Sequence, residues 1–144
     1  MRIAVTLCLS VAIAASSGCA TRSLSENQCL AGDWETIGLR DGQQGYDQTR
    51  LLAHQDACGK QRIVPVREAW VDGWRRGVAV YCRADNGYEL GRRGAGYSDI
   101  CPAETRDSFL EAHAAGHRLY VARSEVQRLE STLGRHRDRL RYID

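Results

Sequence analysis

The chain has 144 residues, of which 43% are hydrophobic and 26% are charged. These values are typical of a globular protein, and they exclude a chain that is disordered throughout. The formal net charge of +2 at pH 7 is too small to indicate a nucleic-acid partner, so none is expected.

The first residues have the pattern of a secretory signal peptide. Arg2 supplies the positive charge, an apolar run "IAVTLCLSVAIAA" follows, and the small residues "SSG" end at Gly18. The apolar run is shorter than the roughly 20 apolar residues that a membrane-spanning helix needs. We therefore expect residues 1–18 to be removed as a signal peptide, which leaves a chain of single-domain length.

The tetrapeptide "SSGC", which ends at Cys19, resembles the lipobox of bacterial lipoproteins, although Ser16 stands where Leu is usual. Cleavage before Cys19 leaves five cysteines, and lipidation of Cys19 reduces the free thiols to an even four. Ordinary cleavage after Ala20 also leaves four, so it stays an alternative. The favoured hypothesis is a lipidated Cys19.

A lipidated N-terminus would hold the protein on a membrane. A diacylglycerol thioether and an N-acyl chain such as palmitate exceed the two signals that stable anchoring requires. Ala20 follows the cysteine, whereas Asp at that position resembles an inner-membrane retention signal. The sequence therefore predicts an outer-membrane lipoprotein that faces the periplasm.

Four cysteines remain in the mature chain, and they are expected to form disulfides. Their wide, unequal gaps contain no C-x-x-C pair and do not match the spacing of zinc ligands. Three connectivities are possible. We favour Cys29 with Cys58 and Cys82 with Cys101, because each pair brackets a glycine-rich stretch.

The first part of the mature chain is predicted to contain a tether and two short helices. Residues 19–28 are expected to be the lipidated cysteine and a short polar tether. Asp33 and Asp47 are plausible N-caps for two helices that Gly42 and Gly45 separate.

A longer third helix is predicted to begin after Pro65. Apolar or small residues then recur with a period of 3.6, which indicates one core-facing stripe of a helix. Gly73 and Gly77 lower helix propensity but let another backbone approach closely. The stripe contains Val66, Trp70, Gly73, Trp74, Gly77, Val78 and Tyr81.

Residues 82–101 have no helical or strand periodicity, and Asn86-Gly87 is a turn signal. We expect an ordered loop held at both ends by cysteines. Its "GRRGAGY" is similar to two earlier glycine-rich stretches, but the offsets are unequal, so no solenoid is predicted. The three similar stretches begin at Gly38, Gly73 and Gly91.

These segments together carry a family resemblance. The order "DW…IG…DGQQG", "HQDAC", "YC…NGY…G…G…Y…CP" and a final "F…G" looks like a family of short proteobacterial outer-membrane lipoproteins known only as a domain of unknown function. The resemblance covers most of residues 29–120. It implies a lipoprotein signal and a cysteine-linked core, and it implies no activity.

One long amphipathic helix is predicted over residues 103–144. Its seam predicts either homodimerisation or packing on its own domain. A parallel dimer would place Arg118 opposite Arg123 and Glu125 opposite Glu130, so we expect packing on the domain, or an antiparallel partner, with a frayed basic tip beyond Gly134. The seam is Leu119, Ala122, Val126, Leu129, Leu133, His136, Leu140 and Ile143.

Two histidine patterns are candidates for chemistry. His113 and His117 are spaced to share a metal ion, but the sequence places no third ligand, so no metal site is predicted. His54 precedes Cys58 by four residues, as in a base beside a thiol nucleophile. A disulfide-bonded cysteine cannot act as a nucleophile, so a structural role for His54 is expected.

Two charged patterns are also candidates for a functional role. Glu35 and Asp41 are conceivable as an acid/base pair, but Asp41-Gly42 is better explained as a turn. The arginines of residues 135–141 predict either stabilisation of a helix C-terminus or contact with anionic lipid phosphates, and the sequence does not choose between the two.

The sequence therefore predicts a mainly α fold: a small disulfide-linked helical domain over residues 29–144, with glycine-rich ordered loops and a long C-terminal helix. We expect no catalytic residues and no cofactor. The favoured function is an envelope lipoprotein that binds or scaffolds an unknown envelope protein or cell-wall partner. The alternative is a small periplasmic enzyme or inhibitor that acts on cell-wall material.

Overall fold

The computed structural model describes residues 22–142, so Cys19 and the predicted signal peptide lie outside the described residues. The described part is helical and contains no strand, which confirms the predicted mainly α fold with a long C-terminal helix. A 3-10 turn at Gly59–Gln61 follows the third helix. The helices are α1 (Glu26–Ala31), α2 (Trp34–Gln43), α3 (Arg50–Cys58), α4 (Arg67–Tyr81), α5 (Ala84–Arg92) and α6 (Ala103–Arg141).

Helices α2 and α4 form a tightly packed parallel pair. Gly38 and Gly42 of α2 face Gly73 and Gly77 of α4, and a Cβ atom at any of the four would overlap backbone atoms of the other helix. Small residues four apart allow this approach, as in other close helix pairs. The contact offsets the loss of helix propensity that glycine causes.

Helices α5 and α6 form a second pair of the same kind. Gly87 and Gly91 of α5 face the backbone of Phe109 and His113, and Gly116 of α6 faces the backbone of Tyr88. The contacts advance in the same direction along both helices, so this pair is also parallel. The predicted loop over residues 82–101 is therefore wrong in its first half, because Asn86-Gly87 lies within α5.

The two pairs are built on one residue pattern. The spacing of Gly38, Gly42 and Gly45 recurs at Gly87, Gly91 and Gly94. The last glycine of each set has a positive φ, 80° and 69° respectively, where any side chain would be strained. The stretches that begin at Gly38, Gly73 and Gly91 have unequal offsets because Gly73 belongs to the second helix of its pair and Gly91 corresponds to Gly42.

The second helices of the two pairs also correspond. Trp70 and Phe109 occupy equivalent positions, with exposed fractions of 0% and 1%. One turn later, Trp74 Nε1 donates to the Tyr46 carbonyl oxygen (2.7 Å), and His113 Nε2 lies 2.8 Å from the Ala95 carbonyl oxygen. Tyr81 joins the pairs, since its ring centroid lies 5.4 Å from that of Phe109. The fold is thus two similar helix pairs that share one aromatic contact.

Each pair carries one disulfide on the N-terminal side of its helices. Cys29 precedes α2 and is bonded to Cys58, which precedes α4; Cys82 precedes α5 and is bonded to Cys101, which precedes α6. The Cα atoms are 5.5 Å apart in both. These are the pairs favoured from the sequence. Each bond contributes about 3 kcal/mol by restricting the unfolded chain.

The first described residues pack against α3. Arg22 Nη2 donates to the Ala57 carbonyl oxygen (2.7 Å), and Ser23 Oγ donates to that of Ala53 (2.7 Å). Leu24 is buried, and Ser25 caps α1. The part of the expected tether from Arg22 onward is therefore bound to the fold.

Candidate functional site

The second half of α6 projects from the domain. Helix α5 ends at Arg92, whose backbone nitrogen lies beside Gly116, and no other described helix continues along α6 beyond Tyr120. Residues 121–131 are all exposed. We call residues 121–141 the projecting segment. The expectation that this part of the helix packs on its own domain is wrong, because α5 is too short to cover it.

The projecting segment carries an apolar stripe, which we define as Ala122, Val126, Leu129, Leu133 and Leu140. The exposed fractions are 55% at Val126, 47% at Leu129, 56% at Leu133 and 64% at Leu140. The helix continues through Gly134 to Arg141, where a frayed tip was expected. The seam residue Ile143 lies outside the described residues. A stripe of this length in water is a candidate contact surface.

The projecting segment has little stabilisation of its own. Glu125 accepts hydrogen bonds from Arg128, with Nε 2.7 Å from Oε2. This pairing lowers the pKa of Glu125 and raises the pKa of Arg128, although both side chains are exposed. Isolated helices of about this length are marginal in water, and most helical stability comes from covering an apolar face. A partner on the stripe would therefore stabilise the segment.

A buried polar network lies beneath the first helix pair. Asp41 is 4% exposed and His54 is 1% exposed. Asp41 Oδ2 lies 2.7 Å from His54 Nε2 and accepts a hydrogen bond from Trp70 Nε1 at 2.9 Å. The network thus joins α2, α3 and α4. Asp41 lies inside α2, so the turn expected at Asp41-Gly42 is wrong.

The hydrogen bonds of His54 argue against catalysis by this network. His54 Nδ1 lies 2.9 Å from Ser23 Oγ, which gives the serine, histidine and carboxylate order of a hydrolase triad. However, Ser23 donates its hydroxyl proton to the Ala53 carbonyl oxygen. Nδ1 must then donate to Ser23, and the ring cannot accept a proton there. The arrangement supports a structural role for His54.

An open cavity of about 600 Å³ lies beside this network. Its wall includes Arg50, whose guanidinium carbon lies 4.1 Å from the Tyr46 ring centroid and whose Nε lies 3.8 Å from Asp41 Oδ1. That Nε is buried and has no hydrogen-bond partner among the described residues. Ser98 and Asp99 also line the cavity. Sequence reasoning missed Arg50, since only the fold brings the Ser98 loop to it.

The structure does not bring Glu35 and Asp41 together. Glu35 is exposed and forms an ion pair with Arg76 of α4, whereas Asp41 is buried. Cys58 is bonded to Cys29, so the sulfur of the residue four positions after His54 is not a free thiol.

The histidine pair on α6 has other contacts. The ring centroids of His113 and His117 are 6.3 Å apart, and His113 is engaged with the Ala95 carbonyl oxygen. Across residues 22–142, no group of three or more histidine, cysteine or acidic residues is arranged to hold a metal ion. The same residues include no helix that is long and apolar enough to cross a membrane.

Comparison with known proteins identifies the domain. No curated protein and no solved structure matches the chain. The model of a family described as "Protein of unknown function (DUF2799)" matches residues 33–118. The match covers both helix pairs and ends before the projecting segment. Because it includes more than half of the 144 residues, the chain belongs to the DUF2799 family.

Proposed function

We propose that this protein is an outer-membrane lipoprotein that faces the periplasm and acts by binding or scaffolding another envelope component. The single observation that carries the binding role is the exposed apolar stripe of the projecting segment. The lipid anchor on Cys19 rests on the "SSGC" pattern. The two disulfides support the periplasmic location, since disulfides persist in oxidising compartments.

The stripe is suited to a helical contact. Its spacing repeats steps of three and four residues, which is the pattern of anchors that a helix inserts into a groove or against another helix. Fully burying one such side chain stabilises a complex by roughly 1.5–3 kcal/mol. An envelope protein with a complementary apolar surface could therefore bury several of these side chains along one continuous helix.

The first prediction tests the contact surface in cells. A photo-crosslinking residue at Leu129 should give a discrete crosslinked product in the membrane-anchored protein, because Leu129 lies in the centre of the stripe. The same residue at Ser131, which is exposed on the opposite face of the helix, is the control. Mass spectrometry would identify the product. Equal products at both positions, or none at Leu129, would contradict a contact through the stripe.

The second prediction tests the anchor. Cys19→Ser should move the protein from the membrane fraction to the soluble periplasm, because the lipid chains supply membrane affinity. Immunoblotting of fractionated cells measures the shift, and circular dichroism shows whether the variant stays folded. A variant that remains in the membrane fraction would exclude Cys19 as the anchor.

The alternative, a small periplasmic enzyme or inhibitor that acts on cell-wall material, is supported by the cavity beside Arg50. A guanidinium group binds carboxylates and phosphates in bidentate geometry, and cell-wall peptides carry carboxylates. Binding of a soluble peptidoglycan fragment that is lost in Arg50→Ala, measured by calorimetry, would favour this second function.

A further inference from the structure

We propose that the projecting segments of two copies of this chain pair in antiparallel orientation and cover each other's apolar stripe between Leu129 and Leu140. The proposal rests on the binding role above and names the partner as a second copy. The charges that flank the stripe favour this partner and this orientation. Arg123, Glu130 and Arg137 lie along one flank, and Glu125, Thr132 and Arg139 lie along the other.

A parallel pair is disfavoured by these flanks. In a parallel coiled coil, each residue of the flank that contains Glu125 faces a residue of the other chain. That residue lies five positions later and belongs to the flank that contains Glu130. Glu125 would then face the second copy's Glu130, and Arg118 would face the second copy's Arg123. Both contacts occur twice by symmetry, so four like-charged pairs would oppose association.

An antiparallel pair brings each flank against the same flank of the other copy, and one register matches the charges. When Leu129 lies opposite the second copy's Leu140, Glu130 faces the second copy's Arg137. Two-fold symmetry makes this contact twice. Thr132 then faces Arg139 on the other flank, and no two described residues of like charge face each other.

The neighbouring registers are less favourable. Shifting the chains to place Leu129 opposite Leu133 pairs Glu125 with the second copy's Arg139. The same shift brings Glu130 against the second copy's Glu130 and Arg123 against Arg137, so the like-charged contacts outnumber the attractive ones. Shifting them further, to place Val126 opposite Leu129, pairs Arg123 with Glu130 but sets Arg118 against Arg139. Charge complementarity therefore selects one register of the stripe.

The shape of the molecule is compatible with this pairing. Residues 121–141 form about 30 Å of continuous helix beyond the helix pairs. Antiparallel pairing places the two domains at opposite ends of the joint segment, whereas parallel pairing would bring both to the same end. The interface is isologous, so it closes as a dimer and does not propagate.

The test uses the full mature chain with Cys19→Ser, studied by sedimentation equilibrium. We expect a monomer–dimer equilibrium. Glu130→Arg should weaken the dimer about tenfold, since two attractive contacts become repulsive. Adding Arg137→Glu should restore the affinity. Asp138→Arg, which makes the same charge change on the face opposite the stripe, is the matched control and should leave the dimer unchanged.

Several outcomes would overturn the proposal. These are a monomer at every concentration, a dimer that Glu130→Arg leaves intact, and a dimer rescued by Arg123→Glu instead of Arg137→Glu. A monomer that floats with anionic lipid vesicles through the stripe would also overturn it. If the purified chain is monomeric but Leu129 crosslinks another protein in cells, self-pairing fails while the proposed binding function stands.

Discussion

Gly77→Ala is expected to destabilise the domain by about 3 kcal/mol or more, because the added methyl group would overlap the backbone of α2 at Leu39 and Gln43. Backbone atoms cannot rotate away as a flexible side chain can. The two helices must therefore separate along their whole contact. For a domain of this size, the loss corresponds to a melting temperature lower by roughly 10–20 °C, measured by circular dichroism.

Gly134→Ala is the matched control for this prediction. Gly134 also lies within a helix, but among the described residues nothing outside its own helical turns and its chain neighbours comes within 4 Å of where its Cβ would be. The change should stabilise the helix by about 0.5–1 kcal/mol, because alanine has the higher helix propensity. Similar melting temperatures for the two variants would show that the glycine contact does not hold α2 against α4.

Asp41→Asn is expected to lower the free energy of unfolding by about 3–5 kcal/mol, because it leaves the buried His54 without its charged partner. The Asp41 carboxylate also accepts from Trp70, so one substitution weakens contacts of α2 with both α3 and α4. Urea unfolding of the purified protein measures the change.

Glu35→Gln is the control for the Asp41 variant. It removes a carboxylate from the same helix, but Glu35 and its partner Arg76 are both exposed, and such pairs contribute at most about 1 kcal/mol. If the two variants lose the same free energy of unfolding, the buried carboxylate contributes no more to stability than the exposed one. The structural role assigned to the network would then be wrong.

Local pattern predicted α4 and α6 correctly, but it missed α5. In α4 the apolar residues recur at every turn, so the helix could be read without knowing its partner. In α5, Gly87 and Gly91 remove both the apolar side chains and the helix propensity on which such a prediction depends. These glycines stabilise the fold only by letting the backbone of α6 pack closely against α5.

The candidate sites, too, could be predicted only in part from the sequence. The sequence separates Asp41, His54 and Arg50, and no short-range pattern indicates that one carboxylate lies between the other two. The apolar stripe could be predicted from its steps of three and four residues, but its exposure could not. That exposure depends on where α5 ends relative to α6, which is a property of the pair.

The sequence by itself determined the helical class, because apolar periodicity and capping act within a few residues, and it favoured the disulfide pairs through the glycine-rich stretches that they bracket. Only the tertiary structure decided which glycines face each other, that Asp41 meets His54, and that residues 121–141 project uncovered. The physical reason is that backbone contact, burial and hydrogen bonding between distant residues depend on how whole helices are placed, and the glycines that allow this placement carry no side chain to indicate it.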